Sequence, residues 1–101
     1  MNKKSLKVVI ETENDKRLKE VKGYYTWLND LKVFIYKDVL KREWYVIDLD
    51  TGLSITMGFT MVQAKDNAIN KLDNFKKFKE TEKYKIYRFE YQYLLQKERE
   101  K

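Results

Sequence analysis

Asp48 and Asp50 are the two side chains best placed for chemistry. Carboxylates two apart on a β-strand share a face, and hard oxygen donors so arranged can hold a divalent cation, as a metal-dependent nuclease requires. The simpler reading makes Asp50 a turn former and Asp48 a solvated strand residue beside it. Nothing else points to catalysis. The 101 residues include no His and no Cys, which removes the histidine base, the thiolate nucleophile and the imidazole or thiolate zinc site. Three glycines, none clustered, leave no phosphate-cradling loop. The expectation is a non-enzymatic chain with no cofactor and no metal, one that binds rather than transforms.

A second pattern lies near the carboxy terminus, where Lys83, Lys85 and Arg88 interleave with Tyr84, Tyr87, Phe89, Tyr91 and Tyr93. Cations between rings resemble a stacking platform for single-stranded nucleic acid, although core packing is the commoner fate of such rings. Residues 1–22 carry seven basic and four acidic side chains, net +3; residues 23–75 are at −1, and residues 76–101 at +4. If the two basic ends meet, Lys3, Lys4 and Lys7 join Lys83, Lys85 and Arg88 in one positive surface for a polyanion or nucleoprotein. Phe89 and Tyr93 add an apolar contact beside it. The plainer alternative is that mixed Lys/Glu faces are simply solvated.

These residues need elements to hold them. From Glu43 to Phe78 the chain reads as a ββα unit. Trp44 to Leu49 is apolar, aromatic or β-branched at nearly every step, Asp50-Thr51-Gly52 is a turn, and Leu53, Ile55 and Met57 alternate with Ser54 and Thr56, which predicts hydroxyls on the opposite face. Thr60 with Gln63 has capping-box spacing. Ala64, Ala68, Ile69, Leu72 and Phe75 then form the apolar stripe of one helix of about five turns lying on the hairpin.

Elsewhere, Ser5–Thr12 reads as a first strand, and Asn14 or Asp15 is placed to cap a short helix with Leu18 and Val21 on one face and Gly23 as its stop. Tyr24–Leu28 is a strand or the approach to one, and Leu31–Tyr36 is a strand. From Tyr84 onward a helix is favoured over a strand, since Leu94 to Lys101 contains only good helix formers. Its two apolar stripes are nearly opposite: Tyr84, Tyr87, Tyr91, Leu94 and Leu95 on one side, Ile86, Phe89 and Tyr93 on the other. The second faces the core, a partner or a second copy of the chain.

The whole predicts an α+β fold, an antiparallel sheet of three to four strands with helices on one face, in a single compact domain over residues 1–101. Hydrophobic residues at 43%, with 15% aromatic, argue for a folded globule. No apolar run reaches membrane length and Lys3, Lys4 and Lys7 precede only Val8, Val9 and Ile10, so a cytoplasmic protein is expected.

The run Asp48-Leu49-Asp50-Thr51-Gly52, then Gly58-Phe59-Thr60 and Ala64, is similar to the end of the HicB antitoxin pattern and to the arm-binding domain of phage and transposon integrases. Gln63 stands where those patterns have an acidic residue. In its Lys-, Tyr- and Asn-rich style the chain also resembles small proteins of phages and mobile elements from low-GC Gram-positive bacteria, several of them anti-CRISPR proteins. That resemblance implies a stoichiometric inhibitor bound to a bacterial defence nuclease or nucleoprotein, and a pI near 9.4 sets it apart from acidic DNA mimics. The alternative is a small DNA- or RNA-binding accessory protein of a mobile element.

Overall fold

The computed structural model describes residues 3–12 and 15–100. Five antiparallel strands follow one another across a sheet in the order of the chain: β1 (Lys4–Thr12), β2 (Asp15–Leu28), β3 (Leu31–Asp38), β4 (Glu43–Asp48) and β5 (Ser54–Gly58). Three helices complete the chain, α1 (Met61–Asn70), α2 (Leu72–Phe78) and α3 (Glu82–Arg99). The class is α+β, with five strands where the sequence predicts three to four.

The additional strand length comes from β2. Asp15–Val21, expected as a short helix, is extended and pairs with β1 from Lys4↔Gly23 to Thr12↔Asp15; Asn14, the other expected cap, lies outside the described residues. A helix of two turns is marginal by itself, whereas a hairpin with β1 satisfies the backbone of the whole segment. Gly23 does not stop a helix; it is where β2 passes from one partner to the next, pairing with Lys4 on one side and Tyr36 on the other. A Cβ there would lie 2.1 Å from the Ile35 carbonyl oxygen, so only glycine permits this approach.

Two apolar clusters follow from strand alternation. Leu28, Val33, Ile35 and Val46 pack beneath Ala64 and Ala68 of α1. On the opposite face Phe34, Tyr36 and Ile47 meet Val8 and Val21 from the β1–β2 hairpin, which bends over that face until the Val9 amide donates to the Gly52 carbonyl at 2.9 Å. The helices therefore do not form one layer. α1 lies on β4 and β5, while α3 runs along the hairpin, with Tyr91 donating to the Lys7 carbonyl and Lys16 paired to Glu90.

The predicted five-turn helix is broken at Lys71 into α1 and α2. Ala64, Ala68 and Leu72 are buried as expected, but Ile69 is 42% exposed. The cause is the close seating of α1. The Ala64 amide nitrogen is only 2.5 Å from where a Gly58 Cβ would be, so the contact line narrows to the small residues and Ile69 falls beside it. Thr60 caps α1 as predicted, accepting from the Gln63 amide at 3.0 Å, while the Gln63 side chain accepts from the Phe59 amide instead of that of Thr60. A register shift at Val46/Ile47 accompanies an inward Thr56 opposite Val46 and an exposed Met57, the reverse of the prediction at those two positions, while Ser54 is exposed and Ile55 packs against the α1-side cluster as predicted.

Candidate functional site

Asp48 is not solvated. It is 3% exposed, and one carboxylate oxygen accepts from the Thr51 hydroxyl at 2.8 Å and the Tyr84 phenol at 2.8 Å. Asp50 lies 3.5 Å from the same phenol. Burial, then the hydrogen bond to Asp48, holds the Tyr84 hydroxyl far above its ordinary pKa. Phe75 and Phe78 meet the Tyr84 ring edge-on. The two carboxylates thus fasten the start of α3 to the β4–β5 turn, and no group of three or more metal-ligating side chains occurs among the described residues.

Along α3 the two expected stripes separate cleanly. Tyr84 and Tyr91 are buried, Tyr87, Leu94 and Leu95 half-buried, and Ile86, Phe89 and Tyr93 are 55%, 72% and 51% exposed. Of the aromatics offered as a stacking platform, only Phe89 and Tyr93 remain free of the fold. Tyr87 lies under the Lys16 ammonium at 4.6 Å, with Lys83 at 5.7 Å, and Lys97 sits over Tyr93 at 5.1 Å.

The basic residues named from the sequence fall into separate places. Lys83, Lys85 and Arg88 are exposed on the amino-terminal half of α3, where Lys85 pairs with Glu82 at 3.3 Å. Lys7 is ion-paired with Glu98, about 22 Å along the helix from Lys83 at about 1.5 Å per residue. Lys4 pairs with Gly23 at the bend. Lys3 belongs to a different grouping altogether.

That grouping escaped sequence reading. On the outer side of the bend a hollow of about 190 Å³ is lined by Lys3, Lys22, Lys37, Tyr24, Val39 and Trp44. A second, of about 280 Å³, shares Tyr24 and Trp44 and extends toward Met61 and Lys65 of α1. Strand register builds the groove. Tyr24 is paired with Ile35 and Lys37 with Trp44, which puts Tyr24, Lys37 and Trp44 on the α1 face at its edge beside Met61, and Ser5 is paired with Lys22, which puts Lys22 next to Gly23 at the bend. Of the acids nearby in sequence, Asp38 accepts from the Leu40 and Lys41 amides and Glu43 accepts from the Tyr45 hydroxyl, and neither these nor Glu20 lines the hollow. In sequence Lys22 reads as one charge of a short helix, so its place beside Lys37 in the hollow leaves no signal there.

Among the described residues, no helix is long and apolar enough to cross a membrane. Comparison with known proteins leaves the chain's own geometry to speak for it: no family model matches, and neither does any curated protein or solved structure.

Proposed function

We propose that the chain is a non-enzymatic binding protein that docks through the outer row of α3, acting as a phage or mobile-element inhibitor of a bacterial defence nuclease or nucleoprotein. The observation that carries the docking is the row Ile86, Phe89 and Tyr93, spaced i, i+3, i+7 on an 18-residue helix whose other side is fixed by Tyr84 and Tyr91. Large rings held on a rigid backbone lose little entropy on binding and are the kind of side chain that dominates interface energy. An apolar helical row entering a groove is a recurrent mode of recognition. Lys83, Lys85, Arg88 and Lys97 around it favour an acidic rim on the partner. The identity of the partner rests on the resemblance to anti-CRISPR-type phage proteins.

The test is inhibition. Tagged protein captures its partner from nuclease-treated host lysate, and the captured nuclease is assayed for DNA cleavage with added wild-type chain or variants. Phe89→Ala with Tyr93→Ala should abolish inhibition while the fold persists, and Lys83→Glu with Lys85→Glu should mainly slow association. Full inhibition by the Phe89→Ala/Tyr93→Ala variant removes α3 from the interface. A sedimentation shift to a dimer that the same variant reverses would assign the row to a second copy of the chain.

A further inference from the structure

We propose a second binding site, on the outer side of the Gly23 bend, that takes single-stranded nucleic acid: an unpaired base enters the hollow beside Trp44 and Tyr24 while Lys3, Lys22 and Lys37 follow the phosphates. Three independent features converge there. The first is clustered charge: three lysines line one small hollow. Lys3, Lys22 and Lys37 form no ion pair among the described residues and have no carboxylate among the residues lining their hollow. Three like charges lining one hollow repel one another, so the cluster favours a polyanion that would relieve it.

The second feature is the half-buried rings of Tyr24 and Trp44, which pack against the α1-side cluster and line both hollows. They place an aromatic surface directly beside the cations, the combination that takes a base and its backbone together. The third is shape. The larger hollow, about 280 Å³, falls just short of the range typical of drug-sized ligands and suits one planar ring, while the lysine-lined hollow adjoins it through Tyr24 and Trp44. A duplex keeps its base faces stacked and has nothing to insert. An acidic peptide would satisfy the lysines and leave the rings unused.

The site lies on β2, β3 and β4 and does not involve the outer row of α3, so it stands or falls separately from docking by that helix. The chain has two tryptophans, and Trp27 is exposed, so Trp27→Phe leaves Trp44 as the single reporter. This variant is titrated with oligo(dT) and oligo(U), with a duplex of matched length, with heparin and with polyglutamate. Trp44 quenching by a single strand, with duplex, heparin and polyglutamate ineffective, supports the proposal, and the two oligonucleotides distinguish DNA from RNA. Lys22→Ala with Lys37→Ala should weaken binding roughly tenfold and flatten the salt dependence by about 0.7 for each phosphate no longer neutralised, as single-strand binding demands. Phe89→Ala should leave the titration unchanged. Equal binding of duplex or heparin, or quenching by polyglutamate alone, overturns it, as does an unaltered salt slope in the lysine variant.

Discussion

Replacing Tyr84 by Phe removes one oxygen from the centre of the molecule and nothing else. The ring keeps its edge contacts with Phe75 at 6.2 Å and Phe78 at 5.6 Å, so the packing contribution should survive. The substitution deletes the 2.8 Å hydrogen bond to Asp48, leaving that buried carboxylate with the Thr51 hydroxyl as its side-chain donor. A hydrogen bond to a charged group contributes about 1.5–3 kcal/mol, and a buried acceptor deprived of its donor falls at the upper end. For a domain of this size about 1 kcal/mol lowers Tm by some 4–8 °C, so the drop should be roughly 6–24 °C in thermal melts at neutral pH. Urea melts should show a lower midpoint at unchanged slope, because the surface exposed on unfolding is the same. Tyr93→Phe, with its ring exposed on the outer row of α3, is the control and should stay within about 0.5 kcal/mol. Equal Tm values for the two variants would refute the assignment of Asp48 and Tyr84 as the fastening between α3 and the β4–β5 turn. A double-mutant cycle with Asp48→Asn should give a coupling energy well above measurement error if the two act through each other.

High pH should unfold the chain through its tyrosines. Burial and the bond to Asp48 raise Tyr84, burial raises Tyr36 and Tyr91, and the bond to Glu43 raises Tyr45, so the unfolded chain loses these protons near pH 10 while the folded chain retains them. Their stabilisation is complete below about pH 10 and is lost as pH climbs through the raised folded values, and Tyr84→Phe should make the alkaline fall in Tm shallower. Thr60→Ala should cost about 1 kcal/mol by removing the acceptor for the Gln63 amide, visible as a lower urea midpoint. Leu72→Ala should cost about 2–5 kcal/mol and Ile69→Ala less than about 1 kcal/mol, since one side chain is buried and the other is 42% exposed; equal losses would place Ile69 back in the core. Gly23→Ala should destabilise the chain by more than any surface substitution, because the added carbon meets the Ile35 carbonyl; a wild-type melt would mean that the bend is not closed this tightly.

The parts of the fold that could be read from sequence are those whose signals are local. The turn at Asp50-Thr51-Gly52, the Thr60 cap and the two stripes of α3 each depend on residues within a few positions of one another, and each is found where expected. The misread parts depend on distant partners. Asp15–Val21 has enough helical spacing to suggest a helix, and only pairing with β1 decides for a strand. Asp48 looks like a solvated strand residue because the phenol that buries it is 36 positions away. Ile69 fits the apolar stripe of its helix, yet the close approach of α1 to Gly58 determines which members of the stripe reach the core. The basic surface expected from the two chain ends is divided for the same reason. Lys7 is drawn to Glu98 and Lys3 is carried by β1 to the bend, while Lys83, Lys85 and Arg88 stay at the other end of α3.

The bend at Gly23 links the core to both exposed surfaces. By turning the hairpin over the sheet it brings Val8 and Val21 onto Phe34 and Ile47, which closes the second cluster and sets the hairpin where Tyr91 can bond Lys7. That contact fixes the inner side of α3 and so determines which rings are left outside. On its outer side the same bend leaves Lys22 and Lys37 lining a hollow with Trp44. Closing the hairpin inward and opening the groove outward are one backbone event, made possible by a residue without a side chain. A more continuous sheet would lose the support that positions α3. The two surfaces therefore share a structural cause while using different residues, which is why substitutions at Phe89 and at Lys22 should act independently and a substitution at Gly23 should disturb both.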